Sequence, residues 1–366
     1  MNKKIKTLIA VGGTGGHVFP GYNLALHLLK NNDHDVELVS DKRGSQYLGE
    51  ITNLNISLLP SSPIVKKNIF TILISSVLVF YSLLRSLTFL ILNRPSIIFG
   101  MGGYASFPIC FAAIILKIDF IIYENNLIIG KSNKYLLPFA KKILVSHKSL
   151  KGIPKKYEHK IFESGNILKK EIISLTETNP KKIDLRQIRI LILGGSQAAK
   201  IFAEILPNIF RDCSNMGIPL KIYQHCLPSQ NEKLKLFYEK AKIDFEIFNF
   251  SNNLTEYFLK VNLAITRSGS SMLAELTNVN IPFISIPLPS AADNHQLINA
   301  DFYQNKNLSF LIEEKDLNKK LLQLIREIYQ DQSILDNIVK NQRQYSDKNV
   351  YNNIDQALKE IINEKN

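Results

Sequence analysis

Cysteine is scarce in this chain, which has three cysteines in 366 residues. Cys110, Cys213 and Cys226 are odd in number, lie far apart and form no Cys-x-x-Cys pair. Disulfide frameworks need paired cysteines and structural zinc sites need closely spaced ones, so both classes are excluded. The pattern predicts a protein of the reducing cytoplasm.

Acidic side chains are also in short supply, because the chain has 32 Asp and Glu residues and 45 Lys and Arg residues, which gives a net charge of +13. A basic protein attracts nucleic acids, phosphate groups or an acidic membrane, and charge alone does not choose among them. An AT-rich genome would give the same excess of lysine. The length and the 45% hydrophobic content allow two domains, each with its own core.

The N-terminus lacks the pattern of a secretory signal, since residues 3–6 lead directly into a short apolar strand and a glycine-rich loop. We therefore expect the fold to begin there. No short repeat or low-complexity block is evident in the chain.

One long apolar run extends from Ile69 to Leu92. A spanning helix is possible by length, but Arg85 interrupts the run and predicted strands lie on both sides of it. We expect a helix that packs on the core and turns apolar residues such as Leu83 and Phe89 to a membrane surface. A helix wholly buried in the core is the alternative. Basic residues available nearby for anionic headgroups are Lys66, Lys67, Arg85 and Arg94.

Short runs rich in Ile, Val and Leu alternate with helical stretches, which is the pattern of parallel, doubly wound sheets. The predicted strands are Ile5–Val11, Val36–Ser40, Ser96–Phe99, Phe120–Tyr123, Ile143–Ser146, Ile188–Leu193, Leu220–Gln224, Phe245–Phe250, Leu263–Thr266 and Pro282–Ile286. The sequence thus predicts an α/β protein with two Rossmann-like domains. A ligand is expected in the cleft that they face, because ligands bind at the carboxyl ends of parallel strands.

Polar and charged residues become dominant between Gly165 and Lys182, where we place the join between the domains. We predict an N-terminal domain over residues 1–166 and a C-terminal domain over residues 167–346. The tail from Leu317 onward has amphipathic helical spacing. Its last helix, over about residues 347–366, is expected to pack back on the N-terminal domain.

Each predicted domain opens with a strand, a Gly-Gly loop and a helix, at residues 12–16 and 194–197. Glycine lets backbone N–H groups approach phosphate oxygens closely, and a helix N-terminus favours negative charge. The first loop is not a clean G-x-G-x-x-G and lacks the ending of an ATP-binding P-loop. Asp41 follows the second strand, where a nicotinamide-dependent enzyme reads a ribose, so that class is a rival.

His17 begins the helix after the first loop. An imidazole there can accept a proton from an attacking hydroxyl or contact a diphosphate, although it can also simply cap the helix. A second glycine loop, residues 100–105, follows another strand and adds backbone donors to the same sheet edge. Two such loops suit a diphosphate on an acceptor. The expected contact residues are Gly12, Gly13, Gly102 and Gly103.

In the second half, residues 266–271 end a strand and open a helix that carries Glu275 about two turns in. Their hydroxyl and N–H groups can hold the phosphates of a nucleotide, while Glu275 can accept both hydrogen bonds of a ribose diol. In the simpler interpretation Ser268 caps the helix and Glu275 is solvated. Polar residues 293–296 can bind sugar hydroxyls.

Taken in order, these motifs resemble the MurG family, the UDP-N-acetylglucosamine:lipid I glycosyltransferases with the two-domain GT-B fold. Any one motif is common, but the ordered series over nearly the whole chain is highly specific. The similarity is carried by residues 12–20, Gly102-Gly103-Tyr104, Glu124-Asn125-Asn126, Gly165-Asn166, residues 194–197, Arg267-Ser268-Gly269 with Glu275, and residues 293–296.

The resemblance implies an inverting transfer of N-acetylglucosamine from UDP-N-acetylglucosamine to the muramyl C4 hydroxyl of lipid I, undecaprenyl-diphosphate-muramoyl-pentapeptide. The products would be lipid II and UDP, for peptidoglycan synthesis. The enzyme would lie peripherally on the cytoplasmic face of the bacterial inner membrane, with an anionic membrane surface as partner and no nucleic acid. Helix dipoles and cationic side chains stabilise the leaving diphosphate in this fold, so no metal or other cofactor is expected.

The resemblance also implies roles for individual residues. His17, the first choice for the general base, would lie toward the acceptor with Tyr104 and Glu124, the other expected catalytic residues. The residues expected to approach the donor sugar from the N-terminal half are Thr14, Gly15, Gly16 and Asn126. The other expected substrate contacts are Lys169, Ser196, Ser251, Arg267, Ser270, Ser271, Glu275 and Gln296.

Several positions depart from the family pattern. Lys169 replaces an Arg, which exchanges a forked guanidinium for a point charge. Ala198 replaces a glycine and places a methyl group where close approach to a diphosphate is expected. Asn125 and Leu127 alter a Glu-Gln-Asn-Gly stretch. The alternatives are another GT-B UDP-sugar enzyme, such as a lipid glycosyltransferase or an epimerase, and a non-catalytic nucleotide-sugar-binding protein at the membrane surface.

Overall fold

The structure, a computed structural model, describes residues 4–31, 33–49, 54–63, 68–178, 184–195, 200–249, 254–345 and 347–363. The chain folds into two compact units. The first comprises residues 1–169 and 347–366, and the second comprises residues 170–346. Each unit contains one parallel β-sheet.

The described residues of the first unit form seven strands and, before the tail of the chain, five α-helices. The strands are β1 (Ile5–Ala10), β2 (His34–Ser40), β3 (Asn55–Leu58), β4 (Ile97–Gly100), β5 (Phe120–Glu124), β6 (Ile143–Val145) and β7 (Ile161–Glu163). The helices are α1 (Gly15–Lys30), α2 (Lys42–Ser45), α3 (Ile69–Asn93), α4 (Gly103–Ile115) and α5 (Lys131–Leu136). The strand order is β3-β2-β1-β4-β5-β6-β7. Every residue of β4 and β5 is buried, as expected where both faces of a parallel sheet are covered.

The described residues of the second unit form six strands, which are β8 (Ile188–Leu193), β9 (Leu220–His225), β10 (Asp244–Phe248), β11 (Leu263–Thr266), β12 (Phe283–Ser285) and β13 (Phe310–Leu311). Their order in the sheet is β10-β9-β8-β11-β12-β13. The helices are α6 (Lys170–Thr178), α7 (Lys200–Asn215), α8 (Asn231–Lys240), α9 (Leu254–Lys260), α10 (Ser270–Asn278), α11 (His295–Asn305), α12 (Leu317–Gln330) and α13 (Ser333–Gln342).

All ten predicted strands are present, with ends that differ by a few residues at most. The prediction missed β3, β7 and β13. These strands have two to four residues each and lie at sheet edges, where their side chains are half-buried or exposed. They therefore lack the continuous apolar run that reveals a buried strand.

The last helix is α14 (Val350–Asn363), which belongs to the first unit. Asp347, just before the helix, accepts a hydrogen bond from the backbone N–H of Asn166 at 2.7 Å. The Tyr351 hydroxyl donates to the carbonyl of Leu168 at 2.5 Å, and Asp355 lies 2.9 Å from His27 on α1. The Gly165-Asn166 motif thus fastens the last helix to the unit.

A glycine is needed at position 165, where the chain contacts Asp347, for two reasons. Its φ of +91° disfavours any side chain, and a Cβ atom there would lie 2.7 Å from Oδ1 of Asp347. We expect Gly165→Ala to lower the melting temperature by several degrees, because backbone strain of about 1–2 kcal/mol adds to loss of the Asp347 contact. Gly217→Ala is the matched control, since Gly217 has a φ of +79° but open space around it. Equal melting temperatures for the two variants would show that the Asp347 contact contributes nothing.

Helix α3 has its small residues inside and its large ones outside. It begins with a capping box, in which the Asn68 side chain accepts from Thr71 N–H and the Thr71 side chain accepts from Asn68 N–H. Its buried residues are Ser75, Ser82, Ser86 and Leu90. The serine hydroxyls donate to carbonyls of the preceding turn, so they are satisfied without help from the core.

The outer face of α3 carries exposed Ile, Leu, Val, Phe and Tyr side chains along its whole length. The alternative of a wholly buried helix is therefore wrong, and the expected apolar exposed face is confirmed. Leu83 and Phe89, however, are half-buried against the core, so they were poor choices for lipid-facing residues. Within the part of the chain that the structure describes, α3 is the one helix long and apolar enough to cross a membrane, by length and composition alone.

Candidate active site

The strand order of the first unit reverses between β1 and β4, which are neighbours in the sheet. Ala10 and Gly100 pair at their carboxyl ends, so the two predicted glycine loops emerge side by side. This point is where open α/β sheets bind ligands. The topology therefore brings the Gly12–Gly16 loop and the Gly102–Gly103 loop to one edge.

The first glycine loop leads into the N-terminus of α1. Thr14 is the N-cap, and its exposed side chain makes no capping hydrogen bond. In the described part of the chain, no contact takes up the backbone N–H groups of Gly15 and Gly16. Donors at the positive end of a helix are suited to anions and to sugar oxygens.

Gly13 differs from these donors, because its N–H already donates to Oδ1 of Asp41 at 3.0 Å. The same oxygen accepts from Gly44 N–H at 2.7 Å and caps α2. The expectation that Gly13 donates to a diphosphate is therefore corrected. Asp41 is buried and holds the loop, so it is not placed to read a ribose as in a nicotinamide-dependent enzyme.

His17 lies in the first turn of α1, with its ring against the second glycine loop. A Cβ atom on Gly102 would lie 3.2 Å from Nδ1 of His17, and one on Gly103 would lie 3.2 Å from Nε2. Both glycines have positive φ values, +89° and +73°. Only glycine gives the imidazole this close approach to the backbone, which explains why two glycines stand together here.

Tyr104 follows directly and is half-buried beside the first loop. Its ring would lie 3.4 Å from a Cβ atom on Gly13. Burial raises the pKa of the Tyr104 hydroxyl, and the negative charge of Asp41 raises it further, so the hydroxyl stays protonated at neutral pH. Tyr104 can therefore donate a hydrogen bond but is a poor base.

Glu124, at the end of β5, is 3% exposed and its carboxylate accepts four hydrogen bonds. Oε1 accepts from the backbone and side-chain nitrogens of Asn126 at 3.1 and 3.0 Å. Oε2 accepts from Gly130 N–H at 2.9 Å and from the Asn133 side chain at 3.0 Å. With its lone pairs occupied in this way, Glu124 organises the loop that follows β5 and is unsuited to take a proton.

Two neighbouring residues bear on the departures from the family pattern. The Asn125 side chain donates to the carbonyl of Gly16 at 3.3 Å, so it joins the β5 loop to the first glycine loop. Leu127 is buried in the unit.

Lys169 is exposed at the end of the first unit. Asn133 was missed by sequence reasoning, because nothing in a single sequence shows that it lies under Glu124.

The second unit has the same reversal between β8 and β11. Gly195 has a φ of +76°, and a Cβ atom on Gly195 or on Gly269 would meet no described residue within 4 Å. Gly269 is the N-cap of α10, which begins with Ser270 and Ser271 and carries Glu275. The open space at this helix N-terminus admits an anionic ligand. Ser196, Ser251 and Ala198 lie outside the described residues.

Gln296 ties two loops together at the same edge. Its side-chain oxygen accepts from Ser268 N–H at 3.2 Å and from Leu288 N–H at 3.0 Å. No contact in the described ranges takes up its amide NH₂ group. That group can donate to a sugar hydroxyl, as the sequence predicts.

Comparison with known proteins places this geometry in a family. Residues 7–145 match the glycosyltransferase family 28 N-terminal domain, and residues 189–356 match the family 28 C-terminal domain. The chain is 36% identical, over 100% of both chains, to the UDP-N-acetylglucosamine--N-acetylmuramyl-(pentapeptide) pyrophosphoryl-undecaprenol N-acetylglucosamine transferase of Pelagibacter ubique (strain HTCC1062). The chain belongs to the MurG family.

Solved structures show the fold. MurG of Acinetobacter baumannii matches with a TM-score of 0.78 at 21% identity, over 97% of this chain and 99% of that one. A UDP-N-acetylglucosamine 2-epimerase, described as putative, from Listeria monocytogenes matches with a TM-score of 0.65 at 17% identity, over 99% and 98%. The GT-B fold is thus shared with an epimerase, and it is the sequence similarity that separates the MurG family from that alternative.

Arg267 belongs to the MurG motif Arg-Ser-Gly but points into the second unit. It is 8% exposed, and its NH1 group donates to the carbonyls of Ile286 and Pro287 at 3.2 Å each. Its NH2 group pairs with Glu314 at 2.6 Å, and its guanidinium lies 4.8 Å from the ring centre of Phe202. These contacts hold the loop after β11, and a contact between Arg267 and substrate remains a prediction.

Proposed function

We propose that this protein transfers N-acetylglucosamine from UDP-N-acetylglucosamine to the C4 hydroxyl of the muramyl sugar of lipid I, giving lipid II and UDP. The observation that carries the proposal is the His17 imidazole, which lies against Gly102 and Gly103 beside the N–H groups of Gly15 and Gly16. A base and oriented backbone donors at one sheet edge are what deprotonation of a sugar hydroxyl next to a diphosphate requires. Full-length similarity to a named transferase supports this substrate pair.

On the acceptor side, His17 takes the proton of the C4 hydroxyl as that oxygen attacks the anomeric carbon of the donor sugar. The C4 oxygen forms a bond to this carbon while the bond to UDP breaks, so the configuration inverts. The protonated Tyr104 hydroxyl donates a hydrogen bond to the acceptor. Glu124 and Asn126 keep the β5 loop in shape, so we assign Glu124 a positioning role.

On the donor side, the N-terminus of α10 with Ser270 and Ser271 stabilises the charge that develops on the diphosphate of UDP. Glu275, one turn further along this helix, accepts hydrogen bonds from the ribose hydroxyls. The Gln296 amide donates to hydroxyls of the sugar. Ser196 and Ser251 remain proposed contacts of the diphosphate and the uracil, and exposed Lys169 remains a proposed phosphate contact.

We also propose that α3 rests on the cytoplasmic surface of an anionic membrane, where a lipid-linked acceptor is found. Its outer face is apolar, and the exposed Arg85 and Arg94 can pair with anionic headgroups. Lys66 and Lys67, which were expected to assist, lie outside the described residues. The capped start of α3 at Asn68 keeps this face in helical form.

The membrane proposal predicts that Leu73→Ser combined with Val77→Ser weakens binding to vesicles that contain anionic lipid. Each buried side chain of this size contributes about 1.5–3 kcal/mol, so the pair should cost at least about tenfold in affinity. Leu236→Ser in the second unit is the matched control, since Leu236 is 65% exposed and Leu73 is 64% exposed. Unchanged co-sedimentation of the double variant with vesicles would contradict the proposal.

The transfer itself is tested with labelled UDP-N-acetylglucosamine and lipid I in detergent or vesicles. We expect labelled lipid II and free UDP in equal amounts. Conversion of the donor to an epimer without lipid I would identify an epimerase. Donor binding without turnover would identify a nucleotide-sugar-binding protein. Transfer of the label to another lipid would show that the acceptor is not lipid I.

A further inference from the structure

Helix α4 (Gly103–Ile115) begins in the second glycine loop, and its sequence contains no charged residue. One side of the helix packs into the core of the first unit, through the buried residues Ser106, Pro108, Ile109, Cys110, Ala112 and Ala113. A helix at a protein surface normally carries charged and polar side chains on its outer side. The outer side of α4 therefore lacks the side chains that contact with water favours.

Four apolar side chains form this outer side, and we call them the α4 ridge: Phe107, Phe111, Ile114 and Ile115. Phe111 is 38% exposed and Ile115 is 52% exposed. Phe107 and Ile114 are half-buried against the core. The rings of Phe107 and Phe111 stack with their centres 5.7 Å apart, so the ridge continues from one turn of the helix to the next.

The α4 ridge begins beside the place where the acceptor diphosphate is proposed to bind. Gly103 and Tyr104 form the first turn of the same helix. With about 3.6 residues per turn, Phe111 and Ile115 lie within about 20° of the direction of Tyr104 around the helix axis. With a rise of about 1.5 Å per residue, the ridge extends to about 16 Å from Tyr104. A chain attached to the diphosphate can therefore lie along the ridge.

We propose that the α4 ridge binds the first isoprene units of the polyprenyl chain of the acceptor. A polyprenyl chain offers methyl and methylene groups and no hydrogen-bonding group, so it is bound by burial of apolar surface alone. The ridge is apolar, elongated and continuous with the proposed diphosphate site. The inference rests on the proposed transfer function and deepens it, because it gives the lipid part of the acceptor a contact on the protein apart from the bilayer contact proposed for α3.

The experiment compares two analogues of lipid I in water, without membrane or detergent and below the concentration at which they form micelles. The diphosphate of one analogue carries a farnesyl chain, and that of the other carries a methyl group. We expect the wild-type KM to be at least about tenfold lower for the farnesyl analogue, because the ridge buries several of its methyl and methylene groups.

Phe111→Ser combined with Ile115→Ser should remove this preference. The two KM values should then agree within about threefold, since two exposed apolar contacts are replaced by hydroxyl groups. The kcat at saturating acceptor should stay at the wild-type value, because neither side chain belongs to the proposed catalytic residues. Ile115→Ser alone should reduce the preference in part, and it provides the test if the double variant does not fold.

Two further variants serve as controls. Phe111→Leu combined with Ile115→Leu keeps the ridge apolar and should keep the preference for farnesyl. Leu73→Ser combined with Val77→Ser on α3 should also keep it, although the same change is expected to weaken binding to vesicles. Loss of the preference in either control would overturn the inference, because it would show that the preference does not depend on the apolar character of α4.

Two other results would also overturn the inference. One is a wild-type protein that uses both analogues equally well. The other is a folded Phe111→Ser, Ile115→Ser variant that keeps the preference but binds anionic vesicles less tightly, which would make the ridge a bilayer contact. Formation of lipid II from lipid I would leave the proposed function standing in both cases. A wild-type protein that transfers sugar to neither analogue nor to lipid I would overturn the proposed function, and this inference with it.

Discussion

Replacement of His17 by alanine should lower kcat by about 10²- to 10⁴-fold, the usual contribution of a positioned general base. The His17 ring lies against Gly102 and Gly103. The methyl group of alanine does not fill that space, so water enters it and no proton acceptor is held in place. The affinity for UDP-N-acetylglucosamine should change little, because the donor contacts proposed in the second unit do not involve His17. The measurement is single-turnover formation of lipid II at saturating donor, together with donor binding by calorimetry.

His159→Ala is the control for this variant, since His159 is an exposed histidine of the same unit. It should have wild-type turnover. Near-normal turnover of His17→Ala would remove His17 from the mechanism and move the base role to another residue. A fall in donor affinity equal to the fall in kcat would instead make His17 a donor contact.

Glu124→Ala should be strongly destabilising, with a cost of about 3 kcal/mol or more, because four hydrogen-bond donors lose a buried charged partner. Turnover should fall with it, since the β5 loop also reaches the carbonyl of Gly16 through Asn125. Thermal unfolding and kcat are measured on the same preparations. The exposed Glu158→Ala is the control for loss of a carboxylate in this unit.

Glu124→Gln separates the two roles of this residue. A positioning carboxylate predicts lower stability together with a partial loss of kcat, because the amide nitrogen cannot accept from its two donors. A general base predicts an unchanged melting temperature and a loss of kcat comparable with that of His17→Ala. The second result would contradict the assignment of Glu124 made from its contacts.

Much of the architecture follows from local patterns. A strand such as β5, Phe120–Glu124, is buried on both faces and must be a continuous apolar run, so the sequence reveals it. A strand such as β13, Phe310–Leu311, is held by one neighbour and needs no such run. Sequence patterns therefore predict the inner strands of the described sheets, and they miss three of the four edge strands.

The part of the candidate site that is built on glycine was predictable, because glycine is required where the backbone has a positive φ or is approached closely. Gly102 and Gly103 stand out in the sequence, and the structure places both under His17. The partners of Asp41 and Glu124 could not be predicted, since they come from Gly13, Gly44 and Asn133, which are brought near only by the folded sheet. A carboxylate in a motif looks the same whether it faces a ligand or its own loop.

The choice of outward-facing residues on α3 was partly wrong. Leu83 and Phe89 were expected to face a membrane surface, but both side chains are half-buried against the core. The informative signal was the serines at positions 75, 82 and 86, which recur at helical spacing and mark the inner face. Large apolar residues turned outward on such a helix are what the proposed membrane contact requires.

The return of α14 to the first unit has a consequence for biosynthesis. During translation, the first unit must wait for its last helix until the whole second unit has left the ribosome. At about 5–20 residues per second this delay is roughly 10 to 40 seconds. Throughout it, the partners of Tyr351 and Asp355 on the nascent first unit are uncovered, and it is the completed chain, not the growing one, that can close this unit.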